Sequence, residues 1–157
     1  MVAVTVSPWI VTADADGLLA FLADVYGARE IGRVPGPDGR VGHAETVLGD
    51  TTFVVVDADP DWVPRPALFR LRVDDIDGVL AAAEAAGARV VTPRTLLPQG
   101  AAGARLVDPW GHLWWLEQQV ETVEVDELLR RLTDPATAGA VAAYDASLDA
   151  ELRARRP

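Results

Sequence analysis

The sequence predicts an α+β fold made of two copies of one strand-helix-strand-strand-strand unit, followed by a helical tail. Three observations carry this. First, the chain repeats itself about sixty residues apart: Asp14-Ala15-Asp16-Gly17-Leu18-Leu19 is answered by Asp75-Ile76-Asp77-Gly78-Val79-Leu80, Gly27-Ala28-Arg29 by Gly87-Ala88-Arg89, and Thr52-Phe53-Val54-Val55-Val56-Asp57 by His112-Leu113-Trp114-Trp115-Leu116-Glu117. Second, apolar spacing inside each copy switches between period two and period 3.6. Third, the pattern after Gln119 is helical only. A unit of this size is too small to bury its own apolar face, so two of them pair into one domain with a cleft, and clefts bind small molecules.

The elements follow in order. Val2, Val4 and Val6 alternate with Ala3, Thr5 and Ser7, a strand pattern running towards Thr12. Asp14 or Asp16 caps a helix over 16–26, with Leu18, Leu19, Leu22 and Tyr26 on one stripe and Gly27 as its stop. A short strand at 29–34 enters the turn 35–39, and strands 40–48 and 51–57 form a hairpin about Gly49-Asp50. These make module one, 1–58; the proline-bearing stretch 59–66 is the linker. Module two, 67–119, repeats the order: strand 67–73, helix from Asp75 or Asp77 to Ala86, strand 89–92, loop 98–103, and two strands flanking Asp108-Pro109-Trp110-Gly111. Residues 120–157 form the appendage, with a short amphipathic helix at 125–132 and an Ala-rich one at 136–153, packed on the domain or on a partner subunit.

Composition narrows the function classes. A net charge of −10, with every basic residue an Arg, argues against nucleic acid, whose phosphates need a basic face. No apolar run reaches the ~20 residues of a membrane span, and the N-terminus lacks the basic start of a signal peptide. With no cysteine, disulfides, thiolate chemistry and Cys-based zinc sites are excluded. The expected compartment is the cytoplasm.

The paired modules, the Val73-Asp74-Asp75-Ile76-Asp77 opening of the second helix, its Ala-Ala-Gly-Ala-Arg-Val-Val exit, the triplet His43-Ala44-Glu45, and Asp108-Pro109-Trp110-Gly111-His112 before the last strand resemble the vicinal oxygen chelate superfamily, in its glyoxalase-like branch. That superfamily contains glyoxalase I, extradiol dioxygenases, fosfomycin-resistance enzymes and bleomycin-resistance binding proteins. The resemblance covers 2–119 and implies curled mixed sheets forming a cup, and a homodimer in which some members complete each cup with the partner's module. It also implies four metal ligands, one on the first and one on the last strand of each module. By counting from the helix-opening aspartates and from Gly111, that quartet falls on Ser7, Val55, Leu68 and Trp115.

Leu, Val and Trp offer a cation no donor. The groups left to hold one are His43, Glu45, Asp57 and Glu117. Strand alternation instead gives the cup a lining of Ser7, Trp9, Phe53, Val55, Leu68, Arg70, Leu113 and Trp115. Trp9 and Trp115 are candidates to stack on a planar ligand or a cation. Arg70 grips an anionic group, or pairs with Asp57, Glu117 or Glu45. Trp115 floors the cup or fills it. His43 and Glu45 are a base and its orienter, two ligands, or a surface pair. Trp114 and Leu116 face the helices, and Trp62 is a lid or a subunit contact.

No nucleophile elbow, phosphate-binding glycine loop or HExxH motif is present. The expected function is metal-independent binding of an aromatic or charged metabolite or antibiotic, with no cofactor. The alternative is a glyoxalase-like lyase, isomerase or dioxygenase with a displaced divalent metal.

Overall fold

The computed structural model describes residues 5–155. The chain divides into two compact units, residues 1–67 and 68–157. Unit one contains β1 (Trp9–Thr12), α1 (Ala15–Tyr26), β2 (Arg29–Pro35), a 3-10 turn (Pro37–Gly39), β3 (Val41–Leu48) and β4 (Thr51–Asp57). Its sheet runs β1-β4-β3-β2, with β1 parallel to β4 and the other pairs antiparallel. Unit two repeats this with β5 (Leu68–Arg72), α2 (Ile76–Ala85), β6 (Arg89–Leu96), β7 (Ala101–Val107) and β8 (Leu113–Gln119), in the order β5-β8-β7-β6 and with the same strand directions. It then adds α3 (Val125–Thr133) and α4 (Pro135–Ala154). The α+β class and the repeated module are those the sequence predicts.

The helix starts are local chemistry. Asp14 accepts the Gly17 N–H at 2.9 Å and Asp75 accepts the Gly78 N–H at 3.1 Å, each satisfying a donor that the first turn leaves open. Helix α1 ends where Gly27 turns left-handed at φ 69°, donating its N–H to Ala23. The buried stripe of α1 includes Leu18, Phe21, Leu22 and Val25. It lies against the sheet face that carries Ile10, Ala44, Phe53 and Val55, all buried. In unit two, Ile76 and Ala83 of α2 lie over the face carrying Trp114, Leu116, Ala104 and Leu106, each fully buried. Truncating such a side chain to Ala costs about 2–5 kcal/mol.

Three boundaries differ from expectation. The first strand begins at Trp9, because Pro8 has no N–H to give a ladder; its carbonyl instead accepts from Val54 at 2.9 Å. Ser7 therefore lies before the strand and is exposed, and the strand expected at Val2 and Val4 lies outside the described residues. Strand β6 continues past Thr92 to Leu96, with register shifts on both sides of Thr92 that absorb Pro93. Strand β7 starts at Ala101, inside the expected loop.

Helix α4 packs across β6 on the face of the second sheet opposite α2. Ser147 and Thr92 share a 2.6 Å hydroxyl contact, Glu151 pairs with Arg89 at 2.8 Å, and Arg155 donates to the Gly111 carbonyl at 2.8 Å. No helix among the described residues is long and apolar enough to cross a membrane.

Candidate functional site

Directly paired residues share a sheet face, so the ladders assign every side chain. In unit two, Leu68, Arg70, Leu113 and Trp115 lie together with Arg105 and Glu117 on the face away from α2. In unit one, Trp9 pairs with Val54, and Val54 with Glu45. Trp9, His43, Glu45, Val54 and Val56 therefore occupy the face away from α1. Phe53 and Val55 occupy the α1 face, which corrects their expected place in the cup. The reason is one residue of spacing. Val47 pairs with Thr52, but its counterpart Val107 pairs with Leu113, so the second hairpin turn is one residue longer. Trp115 thus corresponds to Val54, and a one-residue slip exchanges the faces.

Unit one carries a hollow of about 210 Å³. Trp9 and Val56 line it from the sheet, Trp62 from the segment after β4, Gly36 and Pro37 from the β2–β3 connection, and Gly42 from the start of β3. A Cβ on Gly42 would lie 3.0 Å from the Gly36 backbone, so the chain approaches itself here only because both residues are glycine. Trp9 is 61% exposed and Trp62 51%, large apolar surface that folding has left uncovered. The Trp9 ring meets His43 edge-on, with centroids 5.7 Å apart.

The charges around the hollow are one cation and two anions. Arg40 Nη1 donates to the Ala58 carbonyl and to Asp59, both at 3.1 Å. Asp57 accepts the Ala15 N–H on Oδ1 and the Val41 N–H on Oδ2, each at 2.7 Å. Arg40 is thus paired with Asp59, and the lining keeps one formal negative charge in excess, that of Asp57, whose two oxygens are held by backbone N–H groups. Trp62 was legible as a lid candidate; Arg40 and Asp59 were not, because no periodicity marks a residue that follows a turn or lies in a linker.

Unit two offers a different picture. Its face away from α2 is overlain by α4, and the Tyr144 ring lies 6.2 Å from that of Trp115. Arg70 is an ion-pair partner of Glu117, which Arg72 also approaches at 3.6 Å. Leu68 is half-exposed and Leu113 fully buried. The Asp-Pro-Trp-Gly-His turn is structural: Asp108 accepts the N–H groups of Trp110 and His112 on Oδ1, and the Trp114 indole N–H on Oδ2. Burial pushes Asp108 up and His112 down from their ordinary values.

A family-model comparison matches residues 2–116 to the Glyoxalase/Bleomycin resistance protein/Dioxygenase superfamily. The chain belongs to this superfamily. An uncharacterized protein of Mycobacterium bovis is 34% identical over 133 residues, which cover 78% of this chain and 88% of that one. TioX from Micromonospora sp. ML1 superposes with a TM-score of 0.62 at 24% identity, covering 75% of this chain and all of that one. FosX from Listeria monocytogenes, whose crystal contains Mn(II) and sulfate, superposes with a TM-score of 0.57 at 15% identity, covering 84% and 99%. These two structures share the fold.

The superfamily's metal chemistry finds no matching donor set here. Among the described residues, no three His, Cys, Asp or Glu side chains come together as a metal would require. His43 and Glu45 form a pair, Nε2 to Oε1 3.4 Å, without a third ligand. Both oxygens of Asp57 hold backbone N–H groups, and Glu117 is engaged by two arginines.

Proposed function

We propose that this superfamily member is a metal-independent small-molecule binding protein whose ligand seats in the unit-one hollow between Trp9 and Trp62. The single observation that carries the reading is a concave site with two half-exposed tryptophans beside an excess carboxylate. Aromatic faces attract planar rings and cations, and an excess negative charge selects the cation. A planar organic cation, or an aromatic molecule with a cationic substituent, fits that chemistry. About 210 Å³ lies below the ~300 Å³ at which drug-sized sites begin, so the hollow takes a ring-sized portion of the ligand and the rest extends outside it.

The bleomycin-resistance side of the superfamily supports sequestration or carriage as the role, in the cytoplasm, by a homodimer of single-domain chains spanning 1–119 with the tail appended. The second reading is a glyoxalase-like enzyme with a displaced metal. It rests on His43 and Glu45, which share the face of Trp9 and supply two potential ligands. A thermal-shift series with Mn²⁺, Zn²⁺ and Mg²⁺ separates the two: the binding reading expects no saturable stabilisation. A saturable shift that His43→Ala abolishes would favour the enzyme.

A further inference from the structure

The second sheet holds a buried cation with too few partners. Arg105 is fully buried. Its Nη1 donates to Thr92 Oγ1 at 3.2 Å and to the Tyr144 carbonyl at 2.7 Å. Its Nε and Nη2 donate to nothing, and among the described residues no carboxylate lies within ion-pairing distance. A guanidinium carries five N–H donors and does not lose its charge, so three donors stay without acceptors in the interior, and the nearest carboxylate influence on the charge, that of Asp145, acts from beyond ion-pairing distance. Two aromatic rings offset part of this: the guanidinium carbon lies 4.2 Å from the Trp115 ring centre and 3.8 Å from that of Tyr144.

What covers Arg105 is held largely by polar contacts. Helix α4 has twenty residues, of which Tyr144 alone is fully buried. The Tyr144 ring rests directly on the β7 backbone, where Gly103 leaves no room for a Cβ. Beyond Tyr144, the attachments include the polar contacts of Ser147, Glu151 and Arg155 described above and the packing of α3 against the helix. Tyr144 thus presents to Arg105 an aromatic ring and one acceptor oxygen.

We propose that Arg105, Thr92 and Trp115 form a binding site for an aromatic carboxylate, and that Tyr144 of α4 fills it when no such ligand is bound. The ligand ring replaces the phenol ring against Arg105. Its two carboxylate oxygens match the Nε–Nη2 edge, which the helix leaves without acceptors, and its charge neutralises the cation. This site lies in unit two, takes the opposite charge to the Trp9–Trp62 hollow, and does not depend on that reading.

The test uses the full-length chain with benzoate as probe and benzylammonium as the charge-reversed control. In hydrogen exchange, benzoate at tens of millimolar should speed exchange of 136–154 at least threefold, and benzylammonium should not. Unchanged or slowed exchange of the helix in benzoate, or equal acceleration by benzylammonium, would overturn the proposal. In calorimetry, Tyr144→Ala should bind benzoate at least tenfold more tightly than the wild type, and Arg105→Met in that background should abolish the gain. A folded Tyr144→Ala chain with no gain, or a gain that survives loss of Arg105, would also overturn it. If Tyr144→Ala does not fold, the wild-type exchange experiment decides.

Discussion

Asp57 and Val41 are joined by a 2.7 Å hydrogen bond from the Val41 N–H to Oδ2, while Oδ1 of the same carboxylate takes the N–H of Ala15 at 2.7 Å. One side chain at the end of β4 thereby fixes the start of α1 and the start of β3, and the hollow lies beside it. In unit two the corresponding strand end anchors the helix start alone: Gln118 Oε1 accepts the Ile76 N–H at 3.3 Å and its Nε2 donates to the Asp74 carbonyl at 2.6 Å.

Asp57→Ala therefore leaves two N–H donors without acceptors. Each orphaned donor costs about 1–3 kcal/mol, less where water reaches it, so a loss of roughly 2–4 kcal/mol is expected in urea unfolding. Asp57→Asn should fall between, since its amide NH₂ meets a donor where Asp presents an oxygen. A loss below ~0.5 kcal/mol in Asp57→Ala would remove this structural role.

Much of the fold was readable because its determinants are local. Asp14, Asp75 and Gly27 mark helix ends through their own side-chain or backbone chemistry. The site was less readable, because the offset between the copies is sixty-one at Asp14 and Asp75, sixty at Gly27 and Gly87, and sixty-one again after the longer second turn, and one residue separates Val55 on the helix face from Val54 on the other. The covering of Trp115 by Tyr144 joins residues far apart in sequence, and the Ala-rich pattern of α4 gives no sign of which face docks.

Val55 tests the corrected face. It is fully buried against α1, so Val55→Ala should cost about 2 kcal/mol and leave ligand affinity unchanged. Trp9→Ala, at a 61% exposed position, should cost far less stability and weaken binding. The reverse pattern, measured by urea midpoints and calorimetric titration, would return Val55 to the site.

His112 should make stability fall with acid. Burial holds its pKa below the ordinary 6.5, with Arg155 acting in the same direction and Asp108 opposing. The unfolded chain therefore binds a proton below about pH 6.5 that the folded chain refuses, and stability drops as pH falls through that value. Asp108, raised by burial from its ordinary 3.8, acts in the opposite sense as pH rises above that value. Urea midpoints between pH 7.5 and 5.5 should decline in the wild type and decline less steeply in His112→Gln; equal slopes would exclude His112 as the source.

The assembly proposal is read by light scattering. A homodimer gives twice the 16.8 kDa of the chain at micromolar concentration, and a mass of one chain contradicts it.

The most direct test of the hollow is calorimetric titration of benzyltrimethylammonium, a planar ring bearing a fixed cation, into the wild type and Trp62→Ala. Trp62 is half-exposed and its removal should leave folding intact. Loss of one aromatic face from a cation costs ~0.5–2 kcal/mol, so affinity should fall by roughly two- to thirtyfold, with benzoate binding unaffected. Equal affinity of the two proteins for benzyltrimethylammonium, or no binding by the wild type, would contradict a ligand seated between Trp9 and Trp62.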